Sequence, residues 1–167
     1  DFKELFYEEM EEKREYAKEC VLDTDLEVLL PDSYVTSISE RLLLYKELNA
    51  LTTEEQLDHY RERLIDRFGP IPKATQELIK TISLRRIGKE FGIERIVLRQ
   101  DKMVCHFSGD QENPFYTSGN FGKLIRFAST HPTQCHLKES TERLSLVCDS
   151  VKSIQQALEV TQSIVGA

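Results

Sequence analysis

The segment Gly92–Ser108, GIERIVLRQDKMVCHFS, is where the hydrophobic period of the chain changes. From Ile38 to Phe91 the apolar residues recur at helical spacing, and from Ile93 onward they fall into short β-rich runs. IERIVLR and KMVCHFS are two such runs, and the polar pair Gln100-Asp101 between them predicts a β-hairpin. The residues on either side then decide what the hairpin packs against.

Downstream, the polar tract SGDQENPFYTSGN (108–120) reads as a loop, and residues 120–130 as a short helix stopped before Pro132. QCHLKE and RLSLVCD form a second pair of predicted strands around the turn Ser140-Thr141. Asp149 or Ser150 is the expected cap of a closing helix that buries Val151, Ile154, Leu158, Thr161 and Val165.

Upstream, the first twenty residues have a helical pattern, with Phe2, Leu5, Phe6, Met10 and Ala17 near one side and glutamates crowding the other. VLDTDLEVLL then alternates at Leu22, Thr24, Leu26 and Val28, the period of a strand closed by Pro31-Asp32-Ser33. Between 38 and 50 a helix carries Ile38, Leu42, Tyr45 and Leu48 at helical spacing, with Leu43 and Leu44 widening the stripe. Thr52 or Thr53 caps the next helix, Thr52-x-x-Glu55 fitting a capping box, and that helix runs to Phe68. Pro72 suits the first turn of a third helix, which ends near Phe91 before Gly92, with Leu78, Ile82 and Phe91 as its apolar side.

The order predicts an α+β fold: a small, mostly antiparallel sheet from two strand pairs packed with about five helices. Residues 1–20 read as a connector helix and residues 21–167 as the domain proper. The chain opens on Asp1 rather than methionine, and so reads as a piece of something longer.

Bulk composition narrows the function. With 167 residues, 40% hydrophobic and 31% charged, the chain can bury one core. Its net charge of −7 makes free nucleic acid or an anionic membrane a poor default partner. No apolar run approaches the roughly 20 residues that span a bilayer, and no signal peptide opens the chain. Four cysteines without a Cys-x-x-Cys pair read as reduced thiols of a cytoplasmic protein. Cys105-His106 and Cys135-His136 invite a zinc reading, but neighbours on a strand point to opposite faces, so neither pair can converge on one ion. No metal site and no cofactor is therefore expected. No G-x-x-x-x-G-K-[ST], G-x-S-x-G or H-E-x-x-H occurs, and no catalytic residue is assigned.

Two surface features remain. Arg85, Arg86 and Lys89 cluster on the third helix and are the candidate nucleic-acid contact, although flanked by Glu90 and Glu94. The other is RLIDRFGPIP, residues 63–72. At 100° per residue Leu57, Tyr60, Leu64 and Phe68 share the buried side, while Glu62 and Asp66 lie opposite, flanked by Arg63 and Arg67. Gly69 fits the position that needs a positive φ, and Pro70, lacking an N–H, favours the single-bond helix ending. Asp66 is electrostatically misplaced. The last turn of a helix disfavours an anion, and Glu62 one turn earlier repels it. Either Arg63 or Arg67 neutralises it locally, or the exposed acid serves a cationic partner.

Leu30-Pro31-Asp32-Ser33-Tyr34-Val35, then Glu40-Arg41-Leu42 with Leu44-Tyr45-Lys46, then Leu64-Ile65-Asp66-Arg67-Phe68-Gly69 with Pro72, resemble the C-terminal domain of bacterial transcription-repair coupling factors. The likeness extends more weakly from about Cys20 to the end, and the leading helix is similar to the connector that follows the family's translocase motor. The resemblance implies a parent DNA-translocating ATPase that removes stalled RNA polymerase and recruits excision repair through UvrA. It implies that this domain carries no ATPase motif and packs on the UvrB-like N-terminal module, masking UvrA binding and repressing the motor. The acidic side of the helix ending at Gly69 belongs to that contact, with Glu62, Asp66, Arg63 and Arg67 as its residues. Position 63 is often glutamate in the family and is arginine in this chain.

Overall fold

The computed structural model describes residues 15–167. Its elements are β1 (Val21–Thr24), α1 (Ile38–Asn49), α2 (Glu54–Phe68), α3 (Lys73–Glu90), β2 (Ile93–Arg99), β3 (Lys102–Phe107), α4 (Gly119–Thr130), β4 (Cys135–Glu139), β5 (Leu144–Asp149) and α5 (Ile154–Val165). A 3-10 turn at Pro114–Thr117 breaks the predicted loop. Among the described residues, five helices and a five-stranded sheet make the fold α+β, as the period change at Gly92 predicts.

Strand order is β1-β2-β3-β5-β4, and the three pairings from β2 to β4 are antiparallel. The hairpin turns at Gln100 and Asp101, both with positive φ (52° and 60°), the backbone twist that matches two right-twisted strands. β1 pairs parallel to β2, Leu22 opposite Ile96, so the sheet is mixed. Three helices intervene between these two strands, and a parallel return needs such a crossover. Only Val21–Thr24 of the alternating run pairs; Leu26 and Val28 pack against the sheet core from outside the strand.

Two hydrophobic clusters form. One lies under the sheet and includes Ile96, Leu98, Phe107, Phe115, Phe127 and Ile154. The other joins Leu44, Leu48, Leu57, Tyr60, Leu64 and Ile79 among the first three helices. α3 belongs to both: Ile79 lies in the helical cluster, and Leu84 and Ile87 lie in the sheet cluster. The buried set of α3 is thus Ile79, Leu84 and Ile87 together with Glu77 and small residues, while Leu78 and Ile82 are only partly buried. A helix flanked by two layers has no single apolar stripe for a period to reveal.

Other local expectations shift. In α1 the buried residues are Leu44 and Leu48, whereas Ile38, Leu42 and Leu43 are 68%, 64% and 66% exposed. A run of three leucines fits several helical faces, and the tertiary partner chose the narrower one. The capping box uses Thr53 and Gln56 in place of Thr52 and Glu55. Pro72 is the N-cap of α3, one position before its first turn. α5 is capped by Ser153, whose hydroxyl accepts from the Gln156 N–H, and not by Asp149 or Ser150. Its C-terminal anchor is Ile164, with Val165 at the surface. Residues 15–20 are not helical: the Tyr16 and Ala17 N–H groups donate to the Lys89 carbonyl at 2.8 and 3.0 Å. The rest of the predicted connector helix lies outside the described residues.

Candidate functional site: the outer ridge of α2

α2 begins with a two-way cap in which Thr53 accepts from the Gln56 N–H and Gln56 accepts from the Thr53 N–H. Its inner stripe is Leu57, Tyr60 and Leu64, each 1% exposed, with Phe68 half-buried. The Tyr60 hydroxyl donates to the Leu44 carbonyl at 2.9 Å, which fixes the rotation of α2 against α1. Burial and the neighbouring Glu47 push the Tyr60 phenol up from its ordinary value. At the far end Gly69 has φ 86°, and its N–H makes the single bond to the Ile65 carbonyl at 2.9 Å. The Tyr34 hydroxyl donates to the Gly69 carbonyl at 2.8 Å, so the turn after the helix is held from a third segment.

That rotation leaves Glu62 and Asp66 exposed, as the helical projection predicts. The arginines turn the other way. Arg63 pairs with Glu47 and Arg67 with Glu40, both acids on α1. Each guanidinium also lies over an aromatic ring of α2, Arg63 5.8 Å from the Tyr60 centroid and Arg67 4.8 Å from that of Phe68. Asp66 therefore has no cation within 4.0 Å among the described residues, and local neutralisation does not occur. Glu62 has His59 at 3.9 Å, and His59 is also 3.9 Å from Glu55. The ridge is Glu55, His59, Glu62 and Asp66.

Glu40 and Glu47 escaped the sequence reading. Arg63 meets the later acid and Arg67 the earlier one, the order an antiparallel pair of helices gives, a signal readable only once the two helices are paired. Arg63 is thereby occupied as a strut between helices.

The second candidate surface is also assembled. Arg85, Arg86 and Lys89 line a cleft of about 190 Å³ together with Glu15 and Glu90. The Arg85 Nε donates to the Cys20 carbonyl at 3.0 Å, and Arg86 pairs with Glu54 at 2.9 Å. Two of the three cations are thus engaged within the fold. Burial raises the Glu90 carboxyl, with Arg86 opposing the shift. At the Cys-His pairs, Cys105 and Cys135 are buried in the sheet core while His136 is exposed on the other face, as strand alternation requires. Among the described residues no group of three or more His, Cys, Asp or Glu could hold a metal ion. No described helix is long and apolar enough to cross a membrane.

Residues 24–118 match the family model for the TRCF domain. The transcription-repair-coupling factor of Buchnera aphidicola is 31% identical over 122 residues, which are 72% of this chain and 14% of that protein. Those of Haemophilus influenzae and Escherichia coli are 36% and 30% identical over 95 and 92 residues, covering 55% and 54% of this chain and 8% of each relative. The chain thus spans about a seventh of the Buchnera protein and less of the other two. Among solved structures, a crystal structure of the C-terminal domain of transcription-repair coupling factor superposes with a TM-score of 0.72. It is 17% identical and covers 89% of this chain and 92% of that one, a likeness of fold.

Proposed function

The chain belongs to the TRCF domain family, and on that premise we propose that it is the non-catalytic regulatory C-terminal domain of a transcription-repair coupling factor. Its task is to dock, through the α2 ridge, on the UvrB-like N-terminal module of the same protein. Docked, it masks the UvrA-binding surface and restrains the DNA-translocating motor that acts on stalled RNA polymerase. The observation that carries this reading is Asp66, exposed in the last turn of α2 with both neighbouring arginines committed to α1. Two carboxylates one turn apart, Glu62 and Asp66, suit a pair of arginines on the partner module. Charge-rich interdomain contacts of modest area release readily when a competitor binds.

The test is Glu62→Arg with Asp66→Arg in the full-length protein. Loss of a coupling of about 1–3 kcal/mol shifts the closed–open equilibrium roughly 5–150-fold. Basal ATPase activity and UvrA binding should both rise, while the isolated domain keeps its melting temperature. Wild-type levels of both activities would remove the ridge from the contact.

A further inference from the structure

All four cysteines are free and buried, and all four lie in the sheet cluster. Their positions in the sheet are not equivalent. Cys135 on β4 stands directly opposite Cys148 on β5. In an antiparallel ladder, opposed pairs alternate between hydrogen-bonded and non-hydrogen-bonded types. The Asp149 N–H donates to the Gln134 carbonyl, and the Ser140 N–H donates to the Arg143 carbonyl. Gln134/Asp149 and Ser140/Arg143 are therefore hydrogen-bonded pairs, which makes Cys135/Cys148 a non-hydrogen-bonded one. Such pairs bring the Cα atoms to about 4.5 Å, at the near end of the 4.4–6.8 Å that a disulfide spans. Both side chains point to the buried face.

The other two thiols lack this placement. Cys105 stands opposite Leu146 and Ile96, one step diagonal from Cys148, where residues are about 7–8 Å apart, beyond the Cα separation a disulfide spans. Cys20 packs outside the ladder, where a Cβ on Gly88 would come within 2.5 Å of its sulfur. β4 is the terminal strand, bonded to β5 on one side only, so opening this edge exposes the pair without disturbing the centre of the sheet.

We propose that Cys135 and Cys148 are a modification site: a cross-strand dithiol that a peroxide oxidises to a disulfide, closing the β4–β5 hairpin. The Cys135 thiolate attacks hydrogen peroxide, its sulfur taking one oxygen to give the sulfenic acid and hydroxide. The Cys148 sulfur then attacks the Cys135 sulfur, the S–S bond forms, and the sulfenic oxygen leaves as water with the Cys148 proton. Net, two thiols and one peroxide give one disulfide and two waters. The order of attack follows from the closeness of the two thiols in the buried ladder: the neighbouring Cys148 holds the Cys135 thiol below its ordinary range, while Cys135 and burial push that of Cys148 up, so Cys135 is the first nucleophile. The closed hairpin carries Leu137, Glu139, Arg143 and Leu144, one wall of a groove of about 540 Å³ faced by Tyr116 and Phe121. Oxidation would fix the shape of that wall.

Trypsin separates the two residues, into Phe127–Lys138 and Leu144–Lys152. After treatment of the chain with hydrogen peroxide, denaturation and alkylation should find two free thiols in place of four. The two peptides should run as one linked species, released by dithiothreitol. Cys105→Ser should leave the link intact, and Cys135→Ala or Cys148→Ala should abolish it. Four alkylated thiols after oxidation, a link through Cys20 or Cys105, or sulfinic acid at Cys135 without a link would each overturn the proposal. The wild-type peptide map decides the matter even if a substituted chain fails to fold.

Discussion

Asp66 and Arg67 are adjacent in sequence and opposite in consequence. Arg67 ties α2 to α1 through Glu40 and lies over Phe68, so Arg67→Ala should cost about 0.5–1 kcal/mol. Asp66 opposes the helix dipole and Glu62 with no cation in reach, so Asp66→Ala should leave stability unchanged or raise it by a few tenths of a kcal/mol. Urea denaturation of the two variants side by side separates them, and an Asp66→Ala loss as large as that of Arg67→Ala would mean the acid is structural. His106 makes a second prediction at this scale. Its Nδ1 is 2.9 Å from the Ser145 hydroxyl, and burial, with Arg143 and Arg95 adding to it, holds the imidazole below its ordinary range. A folded pKa below the unfolded one means the unfolded chain takes up the proton first. The contribution of His106 is complete above about pH 6.5 and is lost as pH falls below it. The urea midpoint should therefore drop between pH 7.5 and 5.5, and His106→Gln should flatten that slope. Asp23, lowered by its bond to Arg99, loses its contribution only at more acid pH. The exposure of Glu62 and Asp66 was legible in the sequence, because a helical projection needs only local spacing. The partners of the arginines were not, because Glu40 and Glu47 sit on another helix.

Among the elements, the start of α5 depends on a residue far away in sequence. The Glu77 carboxylate on α3 is buried and accepts from the Ile154 N–H at 2.9 Å and the Gln155 N–H at 3.2 Å. A carboxylate at a helix N-terminus satisfies two otherwise free donors and complements the dipole. Glu77→Ala should cost about 2–3 kcal/mol because both donors lose their acceptors inside the protein, and Glu77→Gln should recover roughly half. Equal losses for the two would assign the effect to charge alone; thermal or urea melts decide it. α3 meets residues 15–20 as closely, with an added Cβ at Gly88 falling 2.5 Å from the Cys20 Sγ. Gly88→Ala should therefore destabilise by about 1–3 kcal/mol, although alanine is the better helix former at an open site. Elements whose signals are local were readable: the Gln100-Asp101 turn, the glycine ending of α2, and the hairpin at Ser140. Those set by distant contacts were not, as with the exposed face of α1 and the Glu77 cap. The parallel pairing of β1 belongs with them, since a strand does not state which neighbour it will find 74 residues later.

For the molecule as a whole, the question is whether two hydrophobic clusters mean two folding units. α3 argues against it, since its first half supplies Ile79 to the helical cluster and its second half supplies Leu84 and Ile87 to the sheet cluster. Unfolding α1 and α2 alone would strip one side of α3 and expose Ile79, Leu78 and Ile82 on a helix still packed on the sheet. Thr75 would also lose the Leu29 carbonyl that its hydroxyl holds at 2.9 Å, if the segment before α1 left with the layer. Each of these costs falls on an element that the sheet needs, which couples the layers. The chain should therefore melt in one transition, and a lesion in one layer should be felt in the other. Leu48→Ala, deep in the helical cluster, should cost about 2–5 kcal/mol. It should lower the urea midpoint equally by far-UV circular dichroism and by tyrosine fluorescence, a probe that includes Tyr60 of the helical layer. In hydrogen exchange, the amides of β3 and β5 should lose protection by the same free energy as those of α2. Should α2 exchange early while β3 and β5 keep wild-type protection, the helical layer opens by itself. The α2 ridge would then sit on a separately melting unit, and its docking would have to supply the free energy of ordering that layer as well as of the contact.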